Sequence, residues 1–459
     1  MDVILNYILS LGAAIFLPVI MILLGLAMKM KLKRAIMAGL ILGIAFIGMG
    51  IVLGFMFDSI SPAANALVKH TGIQLTAIDA GWSPMAAIAW AWPYALLLFP
   101  IQIGINLIML AFRWTNCLNV DLWNVWGKIF TAAMVTAVTG SIPLALLAAA
   151  IQVVLELKNA DITQKQLYEL TKIPGIACTH CMTLQAAILA PLNRMLDYVP
   201  GINKINMNAA QLKEKIGIFG ENSVMGFLVG ALIAILGGYD LKDILATAVQ
   251  VATALVLFPM VAKLFMQALA PIADATNEFM KSKFKGREFY IGLDWPFLAG
   301  QSEIWVAAII LVPFELIVAV FMSQAQLNNV IPLASIINIV VTVPAIIVTG
   351  GNLFRMIIIS LIVTPLYLLV ATNFAPIITT LAKSVGTIQV PAGQFMTWFG
   401  VETPELRWAL AHGLNFMNGD FIGPIALVAY IGAFVWYAGY MKKRDSKFNE
   451  AEFTTSVKN

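Results

Sequence analysis

Charge is what this chain has least of: Lys, Arg, Asp and Glu together make up 11% of its 459 residues, well short of the roughly 25% of an ordinary soluble domain. So few charged groups cannot cover a water-facing surface when 60% of the residues are hydrophobic. A mean hydropathy of +0.88 makes the lipid bilayer the solvent. Cysteine is nearly missing too. Cys117, Cys178 and Cys181 are odd in number and sit in or beside apolar segments, which excludes a disulfide-rich secreted framework. No basic residue precedes Lys29, so the n-region of a cleavable signal is absent and 3–28 reads as a first span. There is no G-x-x-x-x-G-K-[ST] loop, and no cytoplasmic stretch long enough to fold by itself. ATP hydrolysis is not expected, the chain is not expected to be an enzyme on its own, and no cofactor is expected. The net charge of +4 reports orientation through its arrangement and does not indicate a nucleic-acid partner.

What the chain does have is apolar runs, at about 3–28, 35–57, 84–112, 128–155, 221–238, 243–269, 297–322, 330–349, 353–373 and 421–441. An eleventh, 176–196, is interrupted by Thr179, His180, Thr183, Gln185 and Pro191. Counting it as a crossing, with the N-terminus outside, puts most of the 28 Lys and Arg on the cytoplasmic side, whereas omitting it puts most of them outside. The expectation is an all-α polytopic membrane protein of about 11 transmembrane helices, N-terminus out and C-terminus in. Gly39, Gly43, Gly50 and Gly54 give the second run two small-xxx-small pairs for close packing. The stretches 58–80 and 270–290 are too polar to span and read as interfacial connectors, and 374–410, with Pro376, Pro391 and Pro404, reads as a long loop. Asp79-Ala-Gly-Trp-Ser-Pro84 is echoed by Gly292-Leu-Asp-Trp-Pro296, and Asn119-Val-Asp-Leu-Trp123 more faintly by Gly351-Asn-Leu-Phe-Arg355. Such an echo suggests inverted repeats, about 1–196 and 197–410, then a final helix at 421–441 and a tail at 442–459.

A polar group at membrane depth is costly unless satisfied, so each one is a site candidate. His180 stands out, since it lies in the one broken and polar run, Ile176-Ala-Cys-Thr-His-Cys-Met-Thr-Leu-Gln185, where unpaired backbone groups can meet a hydroxylated ligand. The alternative is a histidine bonded to a neighbouring helix for packing. Cys178-Thr-His-Cys181 matches C-x-x-C, but the βαβ setting of a redox motif is absent, and His70 and His412 are remote in sequence. The sulfurs therefore read as small apolar fillers, and no metal is expected. Asp79 and Asp294 each start a crossing beside Trp; they suit either hydroxyl recognition or helix capping. Glu221 begins a helix and suits its dipole. Glu303 and Glu315 share one run but stand more than three turns apart.

Several stretches taken together resemble the galactitol-type IIC membrane permeases of the bacterial phosphotransferase system. They are Lys33-Arg-Ala-Ile-Met-Ala-Gly-Leu40, Phe57-Asp-Ser-Ile-Ser-Pro-Ala-Ala64, Asn119-Val-Asp-Leu-Trp-Asn-Val-Trp126, Ile216-Gly-Ile-Phe-Gly-Glu221, Gly238-Tyr-Asp240, Ile291-Gly-Leu-Asp294 and Gly351-Asn-Leu-Phe-Arg355. The resemblance implies a homodimer that carries a sugar alcohol by an elevator-like movement of a core against a scaffold. It further implies separate cytoplasmic IIB and IIA partners, the IIB protein phosphorylating the substrate from a phosphocysteine. On that resemblance the site collects Trp82, Ser83, Asp121, Asn124, His180, Asp294, Gly351 and Asn352, with His180 also the candidate catalytic group. Where the family shows Pro-His-Gly this chain has Thr179-His180-Cys181, and Asn222 stands in place of Pro. Galactitol, another hexitol and a pentitol all stay open. The competing readings are an ion-coupled secondary transporter and, more remotely, a thiol oxidoreductase.

Overall fold

The computed structural model describes residues 13–71, 76–205, 207, 221–283, 288–332, 334–335, 337–385 and 393–445. The chain opens with α1 (Ala13–Ala27) and α2 (Leu32–Thr71), then runs through β1 (Ala77–Asp79), α3 (Trp82–Trp90), α4 (Leu98–Ala111), β2 (Cys117–Asn119), α5 (Val125–Thr139), α6 (Ile142–Thr171), β3 (Ile176–Cys178) and α7 (Ala186–Leu196). A similar order follows: α8 (Asn222–Leu236), α9 (Leu241–Lys283), β4 (Tyr290–Leu293), α10 (Ser302–Gln324), β5 (Val330–Ile331), α11 (Ile339–Thr349), α12 (Leu353–Val385), β6 (Phe395–Thr397) and α13 (Pro404–Gly413), before a last helix, α14 (Ile422–Asp445). Among the described residues five helices are long and apolar enough to cross a bilayer, or six if α3 and α4, bent by 86° at their break, are one span. The chain is thus a multi-pass membrane protein.

Several boundaries differ from those of the apolar runs. The polar stretches 58–80 and 270–290 are largely helical, because α2 continues to Thr71 and α9 to Lys283 as single long rods. The run 128–155 is broken: Gly140, at φ +69°, ends α5, and Ser141 caps α6 by accepting the Leu144 N–H at 3.4 Å. Of the glycines in α2, Gly39 packs tightly, since a Cβ there would stand 2.4 Å from Ile22 Cγ1 of α1; Gly50 and Gly54 meet nothing within 4 Å.

Interrupted helices leave backbone groups unpaired at membrane depth, and these must find partners inside the protein. Among the described residues six short strands do this in two parallel sheets, ordered β5-β1-β6 and β2-β4-β3. Ala77 pairs with Val330 and Phe395, and Ile291 with Leu118 and Ile176. Each sheet takes its middle strand from the opposite part of the chain. Gly292 of β4 is required by this closeness: a Cβ would lie 2.5 Å from Thr179 Cγ2 and 2.8 Å from Cys117 Sγ. The echo between 79–84 and 292–296 falls at the ends of the two middle strands. The fainter one does not match in the fold, because Asn119 closes β2 whereas Gly351 turns into α12.

Polar contacts establish which elements end together. Arg444, at the end of α14, donates to Val348 O at 2.6 Å and to Gln166 Oε1 on α6. Beside them Arg355 of α12 meets Asp197, just past α7, at 2.7 Å, and Gln301 donates to Leu170 O at 2.7 Å. The segment from Thr171 through β3 to Leu196 therefore enters and leaves at one end of the molecule. The run 176–196 is a re-entrant hairpin and not the fifth crossing expected. By the same contacts 156–175, expected on the opposite side from the C-terminal basic cluster, lies next to it, with Lys158, Asp161 and Lys442 lining one groove. A second hairpin, from β6 to α13, enters from the other end, where Phe395 N–H bonds Thr76 O at 2.8 Å and His412 meets Asp420 at 2.6 Å. What sequence reading leaves as a loop at 374–410 is the end of α12, the stretch 386–392 outside the described residues, and this hairpin.

Candidate functional site at the hairpin tips

The two re-entrant tips meet at His180 and Glu402, whose Nε2 and Oε1 lie 3.4 Å apart. His180 precedes a 3-10 turn (Cys181–Gln185) and its Nδ1 accepts the Met182 N–H at 3.2 Å. Glu402 precedes Thr403, which is held at φ +48°, and Pro404, which starts α13. The pattern Glu-Thr-Pro thus forces a sharp turn that points the glutamate at the opposing tip. Its Oε2 accepts from Arg407 Nη2 at 3.0 Å and from Cys181 Sγ at 2.8 Å, and Arg407 Nε returns to Glu402 O at 2.7 Å. All four side chains are buried.

A cavity of about 210 Å³ opens beside this pair, room for roughly seven waters. Five tryptophans line it: Trp82, Trp123, Trp126, Trp295 and Trp398, with the rings of Trp126 and Trp398 6.1 Å apart. Between them stand the polar groups of Asn124, His180, Asp294, Ser335, Asn338 and Glu402. Aromatic faces that cover C–H surfaces, with amide and carboxyl groups between them, suit a small polyhydroxylated molecule.

Each polar wall has a support behind it. Asn124, at the start of α5, is fixed by Asp121, which accepts from its Nδ2 at 2.7 Å and its N–H at 3.2 Å. Lys128, paired with Glu156 at 2.6 Å, donates to Asn124 O at 3.2 Å. At the start of α11, Asn338 donates to the buried Glu315 at 3.1 Å. Asp79 accepts from Ser335 N–H at 2.8 Å and from Phe399 N–H at 3.1 Å, which makes it a brace for the loops after β5 and β6. Asp294 accepts the Trp295 N–H at 2.7 Å and stands 3.8 Å from His180 Nε2.

Of the residues singled out from sequence, Trp82, Asn124, His180 and Asp294 line the cavity. Asp121 lies behind it. Ser83 is in the first turn of α3, and its side chain lies outside the described residues. Gly351 and Asn352 are not brought to the cavity: they form the turn into α12 at the Arg444 end, where Asn352 donates to Ile205 O at 2.8 Å and accepts from Arg355 N–H. Sequence reasoning missed Asn338, Trp398, Glu402 and Arg407. The signal available was the run Glu402-Thr-Pro-Glu-Leu-Arg407, three charges in an otherwise apolar region. Among the described residues His180, Cys181 and Glu402 are the one group close enough to share a metal ion, within 4.8 Å, but the Arg407 guanidinium, 3.6 Å from Cys181 Sγ, already supplies the positive charge there. Cys178 and Cys181 are both free thiols.

A family model, the sugar-specific permease component of the phosphotransferase system, matches residues 7–393. The galactitol-specific EIIC component of Escherichia coli (strain K12) is 35% identical over 409 residues, which cover 89% of this chain and 90% of that protein. A putative permease IIC component of the same strain is 30% identical over 448 residues, covering 96% and 99%. The chain belongs to the galactitol-type IIC family, the sugar permeases of the phosphotransferase system.

Proposed function

We propose that this permease carries a sugar alcohol of hexitol size, galactitol or a similar hexitol or pentitol, across the cytoplasmic membrane. It presents the molecule to a separate IIB protein, itself charged by IIA, whose phosphocysteine phosphorylates it. The observation that carries this reading is the tryptophan-lined cavity of about 210 Å³ at the meeting of two re-entrant tips. Trp82 and the other tryptophans stack on the carbon chain, while Asn124, His180, Asp294, Asn338 and Glu402 pair with hydroxyls. The galactitol-specific relative supports the substrate class.

The repeated order of elements and the exchanged middle strands support two inverted repeats, with α14 added. Eleven crossings with the N-terminus out and the C-terminus in follow if β2 with α5 is the fourth crossing, α6 the fifth and β5 with α11 the ninth. That arrangement moves Lys158, Lys165 and Lys172 to the cytoplasmic side and strengthens the positive-inside bias. The hairpins and cavity form the moving core of an elevator, the long α2 and α9 belong to the scaffold, and two chains associate as a homodimer.

Vesicles loaded with phosphorylated IIB and given labelled polyols test this. Accumulation of polyol phosphate only when IIB is present supports the proposal. Accumulation of unmodified polyol driven by an ion gradient would replace it with a secondary transporter.

A further inference from the structure

We infer that Glu402, and not His180, takes the proton from the substrate hydroxyl during phosphoryl transfer, and that His180 serves as a fixed hydrogen-bond donor to the same oxygen. This rests on the permease reading above and deepens it.

The first observation is the tautomer of His180. Its Nδ1 accepts the backbone N–H of Met182 at 3.2 Å, and an acceptor nitrogen carries no proton. The neutral ring therefore holds its hydrogen on Nε2. That nitrogen is the one turned to the cavity, between Glu402 Oε1 at 3.4 Å and Asp294 Oδ1 at 3.8 Å. A ring held this way donates to a substrate oxygen and has no lone pair facing it.

The second observation is how Glu402 divides its oxygens. Oε2 is engaged by Arg407 Nη2 and Cys181 Sγ. Oε1 faces Nε2 of His180 at the cavity wall. Arg407 is itself buried over the ring of Phe130 and keeps the carboxylate oriented. Gly127 of α5 closes the back of this cluster, since a Cβ there would lie 3.3 Å from Cys181 Sγ and 3.7 Å from Glu402 Oε2. The titratable and charged groups around Glu402 are His180 and Cys181 of the 3-10 turn, Arg407 of α13, Asp294 after β4, Tyr367 of α12, and beyond them the Lys128–Glu156 pair of α5 and α6.

A hydroxyl placed between Nε2 and Oε1 accepts from the first and donates to the second. When its oxygen attacks the phosphorus of the IIB phosphocysteine, the O–P bond forms as the S–P bond breaks. The electron pair leaves with sulfur as a thiolate, and the hydroxyl proton passes to Glu402 Oε1. Glu402 lies beyond residue 393, where the family match ends.

The test uses the full-length permease in nanodiscs with phosphorylated IIB and galactitol, and reads polyol binding and single-turnover phosphorylation separately across pH. Glu402→Gln is expected to bind within about threefold of wild type, to phosphorylate about 10²–10⁴-fold more slowly, and to lose the acid limb of the pH profile. His180→Gln, which keeps an N–H donor, is expected to bind about tenfold more weakly but to keep that limb and most of the rate once bound. Because Glu402→Gln leaves Arg407 buried without its counter-charge, Glu402→Gln with Arg407→Gln is measured alongside, and the same split is expected. Loss of the acid limb in His180→Gln with its retention in both Glu402 variants would overturn the assignment, as would equal losses of binding and rate in both Glu402 variants. A wild-type protein that binds and transports the polyol but never phosphorylates it would overturn the permease reading, and this inference with it.

Discussion

His180 and the groups around it are braced by the chain before any ligand arrives, so substitutions here separate by what each one leaves behind. Replacing His180 with Ala leaves a buried substrate hydroxyl without its donor, which costs roughly 1–3 kcal/mol and one to two decades in affinity by titration calorimetry. Asp121→Ala, though it does not touch the cavity, frees both hydrogen bonds to Asn124; an affinity loss of about tenfold is expected, with the protein still folded. The two cysteines of the C-x-x-C pattern should part company. Cys178 is buried at the end of β3, and Cys178→Ala should leave uptake within about twofold of wild type. Cys181→Ala removes a donor to Glu402 and should slow phosphorylation, with Cys181→Ser restoring much of it. Equal effects at the two positions would mean that the Sγ–Glu402 contact has no role. Residue chemistry was legible in the sequence where it sat in an anomalous run: His180 interrupts an apolar stretch and declares itself. Glu402 did not, because the stretch around it looks like a proline-bearing loop, and only pairing across the fold brings it to His180.

At the level of elements, the short strands are what the hydropathy of the chain could not reveal. A strand of two residues followed by a short helix has the same apolar content as a continuous crossing, so β5 with α11 reads as the single run 330–349, whereas the run 128–155 joins α5 to the first half of α6 and leaves β2 outside any span. Gly140 was the readable break, and the positive φ it adopts is the reason α5 and α6 are two helices. The strands also make the sheets brittle. Gly292→Ala pushes a methyl into Thr179, Cys117 and the backbone of Asn119 and should lower the melting temperature in detergent by several degrees, consistent with a loss of about 1–3 kcal/mol for overpacking. Unchanged melting would mean that β2 and β3 do not close on β4 as described. A different element contact responds to pH. Burial alone would raise the Asp197 carboxyl, but hydrogen bonds from Arg355 and Arg194 outweigh it and hold it below the usual carboxylate range. Its contribution is present above the unfolded value of about 3.9 and is lost as pH falls through the lower folded one. Asp197→Asn should therefore melt earlier than wild type at pH 7, with the gap closing as the pH approaches 3.

Over the whole molecule, composition alone specified a multi-pass membrane protein, whereas the path of the chain needed contacts between distant segments. Lys172 and Lys204 lie on opposite sides if 176–196 crosses, and on the same side if it returns. Cysteines introduced singly at these positions should be labelled by an impermeant thiol reagent from the same face as one at Lys443; the native thiols are buried and give little background. Labelling of Lys172 from the opposite face would restore the crossing. The exchanged middle strands also bear on how the protein is made. β2 and β3 leave the ribosome with the slot between them empty, and β4 follows on the order of ten seconds later at a synthesis rate of 5–20 residues per second. β1 waits longer still for β5 and β6. Until then those strands lack their partners at a depth where no water can satisfy them, so co-expression of an insertase or chaperone that shelters the first part is expected to raise the yield of folded permease, read as monodisperse protein recovered in detergent.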